Sequence, residues 1–164
     1  MILRNDRMGK PDPGRRNWFA VVHDSGNPKL DWHTCAMRTF EWQVRQKGTH
    51  SGYHGLFDLS NSVYALDPDE VYAYHARKAA NPFAIGLMLG PGRPWSEVAA
   101  DDRQDLFDRV RIFMDPYGVE PRHATSLDDA RANGGYIGHG EIQSNKRDPG
   151  PDFPWVQFIE TLAS

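Results

Sequence analysis

Short apolar runs alternate with amphipathic stretches along the chain, and this pattern predicts an α/β fold. Residues 18–22 and 83–89 are continuous apolar runs of the kind found in strands that are buried on both faces. Residues 53–59 and 63–66 predict two further strands, joined as a hairpin through the polar residues 60–62. The pattern therefore predicts a sheet with buried central strands and an antiparallel pair.

Helical periodicity is clearest in the middle of the chain. A helix is predicted to have Ser96 as its N-cap and to end before Pro116, with apolar residues at helical spacing between them. Residues 33–47 predict an earlier helix, and residues 127–132 a short helical patch. Residues 71–80 fit either a short helix or an irregular segment. We expect the rest of the C-terminal third to be rich in loops.

These elements predict a single α/β domain with a central mixed β-sheet flanked by helices. A chain of 164 residues is long enough for one domain with a sizeable core. We place this domain at residues 17–164, after a polar leader at residues 1–16. We expect the protein to be a monomer.

Composition and charge narrow the range of partners and locations. Apolar residues make up 39% and charged residues 25% of the chain, and the formal net charge is −3, so nothing favours a nucleic-acid or anionic-membrane partner. The leader lacks the apolar core of a signal peptide, and no stretch approaches the roughly 20 apolar residues that span a bilayer. We therefore expect a protein made in the cytoplasm, which another factor must deliver to any target outside it.

Three residues have the types and positions that a hydrolytic zinc site needs. Such a site has three protein ligands, usually histidines with or without a carboxylate, and keeps a fourth position open for water. His23 ends the first apolar run, and the ends of central strands are where α/β sheets place their sites. His139 lies between two glycines, which give it little to pack against, and the carboxylate of Asp148 follows in the same segment.

Lys146 is expected to share a face with Asp148. Pro149 disfavours the helical region for the residue before it, which pushes Asp148 toward an extended conformation. In an extended chain, residues two apart project to the same side. A lysine beside a metal ligand can stabilise the negative charge that develops on a carbonyl oxygen under attack. Taken alone, however, a Lys-x-Asp pair is common on protein surfaces.

Several motifs follow one another in a set order over residues 18–158. The C-terminal ones are Gly138-His139-Gly140-Glu141, Lys146-Arg147-Asp148-Pro149-Gly150-Pro151 and Phe153-Pro154-Trp155. The earlier ones are the apolar strand that ends in His23, then Tyr53-His54, His75-Ala76, Asn81 and Ala84-Ile85-Gly86. The series resembles the zinc N-acetylmuramoyl-L-alanine amidases, a superfamily that includes phage endolysins, bacterial wall-recycling amidases and animal peptidoglycan recognition proteins.

The resemblance implies an activity, a cofactor and a role for each matching residue. It implies hydrolysis of the amide bond between N-acetylmuramic acid and L-alanine in bacterial peptidoglycan, with Zn²⁺ as the cofactor. The metal ligands it implies are His23, His139 and Asp148. Tyr53 and Lys146 match residues that stabilise charge during catalysis. His75 is a candidate substrate contact or a residue that supports the site or packs, and Asn81 is a candidate substrate contact or a structural turn residue.

One departure from the family pattern bears on the biological role. The wall-recycling branch has a glutamate soon after the Ile-Gly pair, where this chain has Leu87-Met88. This favours the phage-like arrangement of a tyrosine and a lysine, and it leaves the proton donor to the leaving amine open. We therefore expect an endolysin that acts on the cell wall or periplasm after release from the host cytoplasm. A cytosolic wall-recycling amidase is the alternative.

Two other functions are alternatives to amide hydrolysis. A peptidoglycan recognition protein can keep the fold and the groove and bind muropeptides without cutting them, but the presence of all three ligands and Lys146 favours catalysis. His139-Gly140-Glu141 with a distant histidine also has the form of a 2-His-1-carboxylate iron site. In such sites the distant histidine usually follows the pair, and no histidine follows Glu141.

Overall fold

The computed structural model describes residues 10–11, 19–24, 36–45, 52–66 and 71–164 of the chain. Its strands are β1 (Lys10–Pro11), β2 (Phe19–Asp24), β3 (Gly55–Asp58), β4 (Ser62–Tyr64), β5 (Val71–Tyr72), β6 (Ala84–Gly90) and β7 (Gly135–Gly138). Its helices are α1 (Ala36–Arg45), α2 (Ala100–Met114), α3 (Leu127–Asn133), α4 (His139–Ile142) and α5 (Trp155–Ala163).

Five of the strands form one sheet in the order β4-β3-β6-β2-β7. The strands β3, β6, β2 and β7 are parallel to one another, and β4 is antiparallel to β3. Every residue of β6 and the first five residues of β2 are buried, which explains why both appear in the sequence as continuous apolar runs. The predicted mixed sheet flanked by helices is confirmed.

Alternate residues of β2 face two different layers of the molecule. Ala20 and Val22 belong to the main core, which α2 and α5 cover on one face of the sheet. Val21 and His23 project to the other face, where α1 packs against β3 and β4. The side chain of His23 is therefore on the face opposite α2 and α5.

The long helix starts later than the sequence predicts. Its N-cap is Ala99, and no side chain caps it, so the predicted cap at Ser96 is wrong. Ser96 instead lies in a short 3₁₀ turn before the helix. Within that turn the buried Trp95 donates from its indole Nε1 to Asp24 Oδ2 at 2.7 Å, which ties the turn to the end of β2 and keeps it out of the helix. The predicted end is confirmed, since the helix stops at Met114.

The remaining helices and strands agree with the sequence predictions to different degrees. The hairpin and α3 agree with their predictions, and α1 occupies residues 36–45 of the predicted 33–47, whose ends lie outside the described residues. Residues 71–80 form no helix, because Val71–Tyr72 pair with β1 as a short antiparallel strand and turns follow. Most of the predicted leader also lies outside the described residues, so the division at residue 16 stays a prediction.

The C-terminal third is more regular than expected. It contains a strand and two helices, β7, α4 and α5, which the sequence pattern did not indicate. β7 is only Gly-Tyr-Ile-Gly, in which two of the four residues are glycines that disfavour a strand, but all four are buried beside β2. α5 buries Phe158 against the main core. Within the described ranges, no helix is both long enough and apolar enough to cross a bilayer.

Candidate metal centre and active site

Two histidines meet where neighbouring parallel strands end. His23 is the fifth residue of β2, and His139 follows directly after β7 as the first residue of α4. Val22 and Gly138 are register partners on these strands, so the next residue of each chain segment emerges at the same edge of the sheet. The imidazole centroids of His23 and His139 are 4.5 Å apart.

Asp148 reaches the two histidines from the loop after α4. Its Oδ2 lies 2.9 Å from His23 Nδ1 and 3.2 Å from His139 Nδ1. The backbone nitrogen of Gly140 donates to the carbonyl oxygen of Asp148 at 2.8 Å, which ties the loop to the start of α4. Gly138 permits the approach, because a Cβ there would lie 2.8 Å from Pro149 Cδ.

The three side chains fit a tetrahedral metal site. One ligand atom from each of His23, His139 and Asp148 lies within 4.8 Å of the others. Ligand atoms bound to one zinc ion at about 2.0–2.2 Å in tetrahedral geometry are separated by roughly 3.3 Å, close to the spacing of the carboxylate oxygen and the two Nδ1 atoms. Two imidazoles and one carboxylate are also a donor set that zinc accepts. These residues could therefore hold the metal.

The electrostatics of the cluster favour the forms that bind metal. Burial lowers the pKa of His23, although the hydrogen bond and the charge of Asp148 act in the opposite direction. Burial disfavours ionisation of Asp148, but hydrogen bonds from His139 and His23 outweigh it and hold the pKa of the carboxyl well below its usual range. A neutral imidazole and an ionised carboxylate are the states that ligate a metal ion.

Tyr53 lies beside this cluster, and the charge of Lys146 acts on it. The ring of Tyr53 meets that of His23 edge-on, with centroids 5.0 Å apart. Burial, and then the charge of Asp148, raise the pKa of Tyr53, so its hydroxyl stays protonated and can donate a hydrogen bond. Lys146 is exposed, and its charge is one of the influences that lower the pKa of His23.

A sequence model described as N-acetylmuramoyl-L-alanine amidase matches residues 13–151, most of the chain. The chain belongs to the N-acetylmuramoyl-L-alanine amidase family. It is an enzyme of that activity, whose substrate class is bacterial peptidoglycan, and the family is generally zinc-dependent.

Solved amidase structures share the fold. The hydrolase AmiA of Staphylococcus aureus, solved in complex with its ligand, has a TM-score of 0.70 at 15% identity, covering 98% of this chain and 82% of that one. The amidase LysC of Clostridium intestinale has a TM-score of 0.64 at 14% identity, with coverage of 99% and 97%. A mutant endolysin from Bacillus subtilis has a TM-score of 0.66 at 13% identity, with coverage of 99% and 98%. No curated protein matches the chain in sequence.

In this amidase His75 and Asn81 are close to the cluster but are bonded to protein groups. His75 is 8% exposed, and its Nδ1 lies 3.1 Å from His23 Nε2. Asn81 is 2% exposed, and its Oδ1 accepts from the backbone nitrogens of His75 at 3.3 Å and Ala76 at 2.8 Å. These contacts indicate that Asn81 fixes the backbone at His75 and that the ring of His75 orients the ring of His23. A contact of either side chain with substrate stays a prediction.

The amidase uses two other histidines structurally. The buried His54 accepts at Nδ1 from the backbone nitrogen of Gly86 at 2.8 Å, as expected for an internal hydrogen-bonding residue. His123 stacks on Trp155, with ring centroids 3.8 Å apart, and its Nε2 lies 2.9 Å from Glu141 Oε1. Glu141 also accepts from the backbone nitrogen of Gly138 at 2.6 Å, and among the described residues the cluster that could hold a metal consists of His23, His139 and Asp148 without Glu141, which argues against the 2-His-1-carboxylate iron site.

The sequence did not predict one group that contacts a candidate metal ligand. Gln143 Oε1 lies 2.6 Å from His139 Nε2. The available signal was the spacing of four residues, which places two side chains on one face of a helix. That signal is meaningful only if His139 begins a helix, and the sequence pattern did not predict one there.

Proposed function

We propose that this amidase is zinc-dependent and cleaves the bond between the lactyl group of N-acetylmuramic acid and L-alanine. The family establishes amide hydrolysis in peptidoglycan. The observation that carries the finer proposal is the convergence of His23 Nδ1, His139 Nδ1 and Asp148 Oδ2 at the edge of the sheet.

The metal and the residues around it have different roles in the reaction. When bound, zinc supplies Lewis-acid polarisation and a lower pKa for water. The Tyr53 hydroxyl, kept protonated, donates a hydrogen bond to negative charge that develops on the substrate carbonyl oxygen. The exposed ammonium of Lys146 stabilises the same charge from the solvent side. His23 is 1% exposed and His139 is 5% exposed, so substrate reaches the cluster from the side of Asp148, whose side chain is 17% exposed.

The residue of β6 next to His23 supports a catalytic site without a glutamate. Met88 is the register partner of both His23 and Leu56, and it is 5% exposed. Met88 therefore lies on the same face of the sheet as His23, whereas Leu87 points into the main core on the other face. A thioether cannot carry a proton, so Met88 cannot act as a glutamate would at this position, and we assign charge stabilisation to Tyr53 and Lys146 instead.

We further propose that the enzyme is an endolysin, made in the host cytoplasm and acting on the wall after release. The tyrosine and lysine arrangement supports this role over wall recycling. A fold neighbour that is itself an endolysin, the Bacillus subtilis protein, is consistent with it. Action as a monomer remains part of the proposal.

Digestion of intact bacterial sacculi, followed by mass spectrometry of the soluble products, tests the proposal. We expect free stem peptides that begin with L-alanine, uncut glycan strands, and loss of activity on chelation that zinc restores. His139→Ala should release nothing, and Gln104→Leu, on the other side of the sheet, should match the wild type. Cut glycan or cut cross-bridges would overturn the bond assignment. Binding without release would favour a recognition module, and cleavage confined to soluble muropeptides would favour a recycling enzyme.

A further inference from the structure

Gln143 is placed by helical geometry directly behind the ligand His139. It follows α4, and its backbone nitrogen donates to the carbonyl oxygen of His139 at 3.0 Å. This hydrogen bond completes one helical turn, so the two side chains project on the same side. The result is a short contact of 2.6 Å between Gln143 Oε1 and His139 Nε2.

The chemistry of that contact determines which nitrogen of His139 carries a hydrogen. A neutral imidazole has one N–H and one lone pair, and an amide oxygen only accepts. Without a metal ion, Nδ1 of His139 donates to Asp148. With the ion bound, Nδ1 would supply its lone pair, and the hydrogen would lie on Nε2, which donates to Gln143. Nδ1 is the atom that faces Asp148 Oδ2 at 3.2 Å, where the metal would bind.

The second histidine ligand shows the same arrangement with a different partner. His23 Nδ1 faces Asp148, and His23 Nε2 lies 3.1 Å from His75 Nδ1. The other nitrogen of His75 is 3.5 Å from the carbonyl oxygen of Ala84, which can accept its N–H, so that Nδ1 of His75 can accept from His23. Both ligand rings thus turn Nδ1 toward the cluster and Nε2 toward an acceptor of the protein.

We propose that Gln143 is a positioning residue for the metal centre, which holds His139 in the Nε2–H form and fixes the angle of its ring. This inference rests on the proposed zinc dependence. Outer partners of this kind orient a ligand and raise its basicity, and their loss typically lowers metal affinity about 10–100-fold. Gln143 is a sharper test of the principle than His75, because the ring of His75 is packed against Gly86 and its removal would also leave a cavity.

Zinc affinity of purified variants tests the inference, with a chromophoric chelator as the competitor. Gln143→Leu keeps the approximate volume and removes the acceptor, so we expect zinc to bind about 10–100-fold more weakly. Gln143→Glu keeps an acceptor oxygen and should bind zinc at least as tightly as the wild type. Gln104→Leu makes the same chemical change on α2 and should leave the affinity unchanged.

Two further measurements separate positioning from a general effect on folding. The melting temperature of the metal-free proteins reports any loss of stability, and long-range ¹H–¹⁵N spectra of the zinc-loaded proteins report the hydrogen on His139 Nε2. We expect that signal to exchange faster with solvent in Gln143→Leu. If that variant fails to fold, Gln143→Asn withdraws the oxygen by one methylene and replaces it in the test. Wild-type affinity in Gln143→Leu would overturn this inference alone, whereas a wild type that binds no zinc would overturn the proposed function with it.

Discussion

Gly86 and His75 approach so closely that a Cβ at Gly86 would lie 2.6 Å from two carbons of the His75 ring. Gly86 is on β6 and faces the same side of the sheet as Met88. The glycine therefore makes room for the imidazole that contacts His23. The relationship links a backbone position in the central strand to the orientation of a metal ligand.

Gly86→Ala should destabilise the protein and weaken the metal site. Overpacking of a filled interior costs about 1–3 kcal/mol, and the displaced ring of His75 would no longer meet His23 at its present angle. Urea unfolding measures the free energy of unfolding, and zinc competition measures the affinity. The control is the same substitution in a His75→Ala background, where the clash is gone and Gly86→Ala should cost much less. Equal costs in the two backgrounds would show that the ring is not what the glycine accommodates.

Metal removal should lower the melting temperature of the wild type. A ligand present at one hundred times its dissociation constant stabilises the folded state by about 2.7 kcal/mol. For a domain of this size, that corresponds to a shift of roughly 5–11 °C. Differential scanning calorimetry with and without a chelator measures the shift. His139→Ala should melt at the same temperature in both conditions, and a shift of equal size in that variant would mean that zinc acts elsewhere.

Tyr53→Phe should lower kcat while leaving zinc affinity and KM near their wild-type values. The substitution keeps the ring against His23 and removes only the donor, whose loss at a developing oxyanion costs roughly 100-fold or more in rate. Release of L-alanine-terminated stem peptides from a soluble muropeptide gives both constants. Tyr136→Phe is the matched control, since that buried tyrosine packs against Phe158 on the other face of the sheet. A kcat within a few-fold of wild type would remove Tyr53 from the mechanism and leave the charge to Lys146.

The parts of the fold that the sequence predicted are those whose signal lies in their own residues. β2 and β6 are continuous apolar runs because both of their faces are buried, and Pro116 marks the end of α2 whatever packs around it. β7, by contrast, has glycine at two of its four positions and is a strand because it fits beside β2. α4 spans four residues, too few for any periodicity to be visible.

The same distinction holds for the site. His139 and Asp148 share one local motif, and His23 is placed by the end of its strand, so all three could be named from the sequence. The choice of Nδ1 over Nε2 at each ring depends on Gln143 and on His75, which lies 52 residues from His23 in the chain. No local sequence pattern predicts the contact between His23 and His75, because it forms only when β2, β6 and the turn before β6 have packed together.

Asn81→Ala should reduce stability without raising KM. Asn81 Oδ1 accepts from two backbone nitrogens, at His75 and Ala76, and buried donors left without a partner cost about 1–3 kcal/mol. Urea unfolding and steady-state kinetics on a soluble muropeptide measure the two effects. Asn133→Ala, at the exposed end of α3, removes one exposed hydrogen bond to Asp129 and is the control for the loss of an exposed rather than a buried amide. A raised KM with unchanged stability and zinc affinity would instead support the substrate contact that the sequence predicted.

Asp129→Asn should make the protein less stable at neutral pH, with a difference that disappears in acid. The hydrogen bonds from Arg122, then those from Asn133 and the backbone of Thr125, lower the pKa of Asp129 from its ordinary value of 3.8. A carboxyl whose pKa is lower in the folded state stabilises that state fully above its unfolded pKa, and the contribution is lost as the pH falls toward the folded pKa. The stability gap between wild type and Asp129→Asn, measured by urea unfolding, should therefore stay constant from neutral pH to about pH 5 and narrow below about pH 4.

Asp128→Asn removes the same charge from the first turn of α3 without touching the Arg122 pair, and it reports the effect of net charge alone. A gap for Asp129→Asn that does not change with pH would mean that the ion pair with Arg122 contributes nothing to folding.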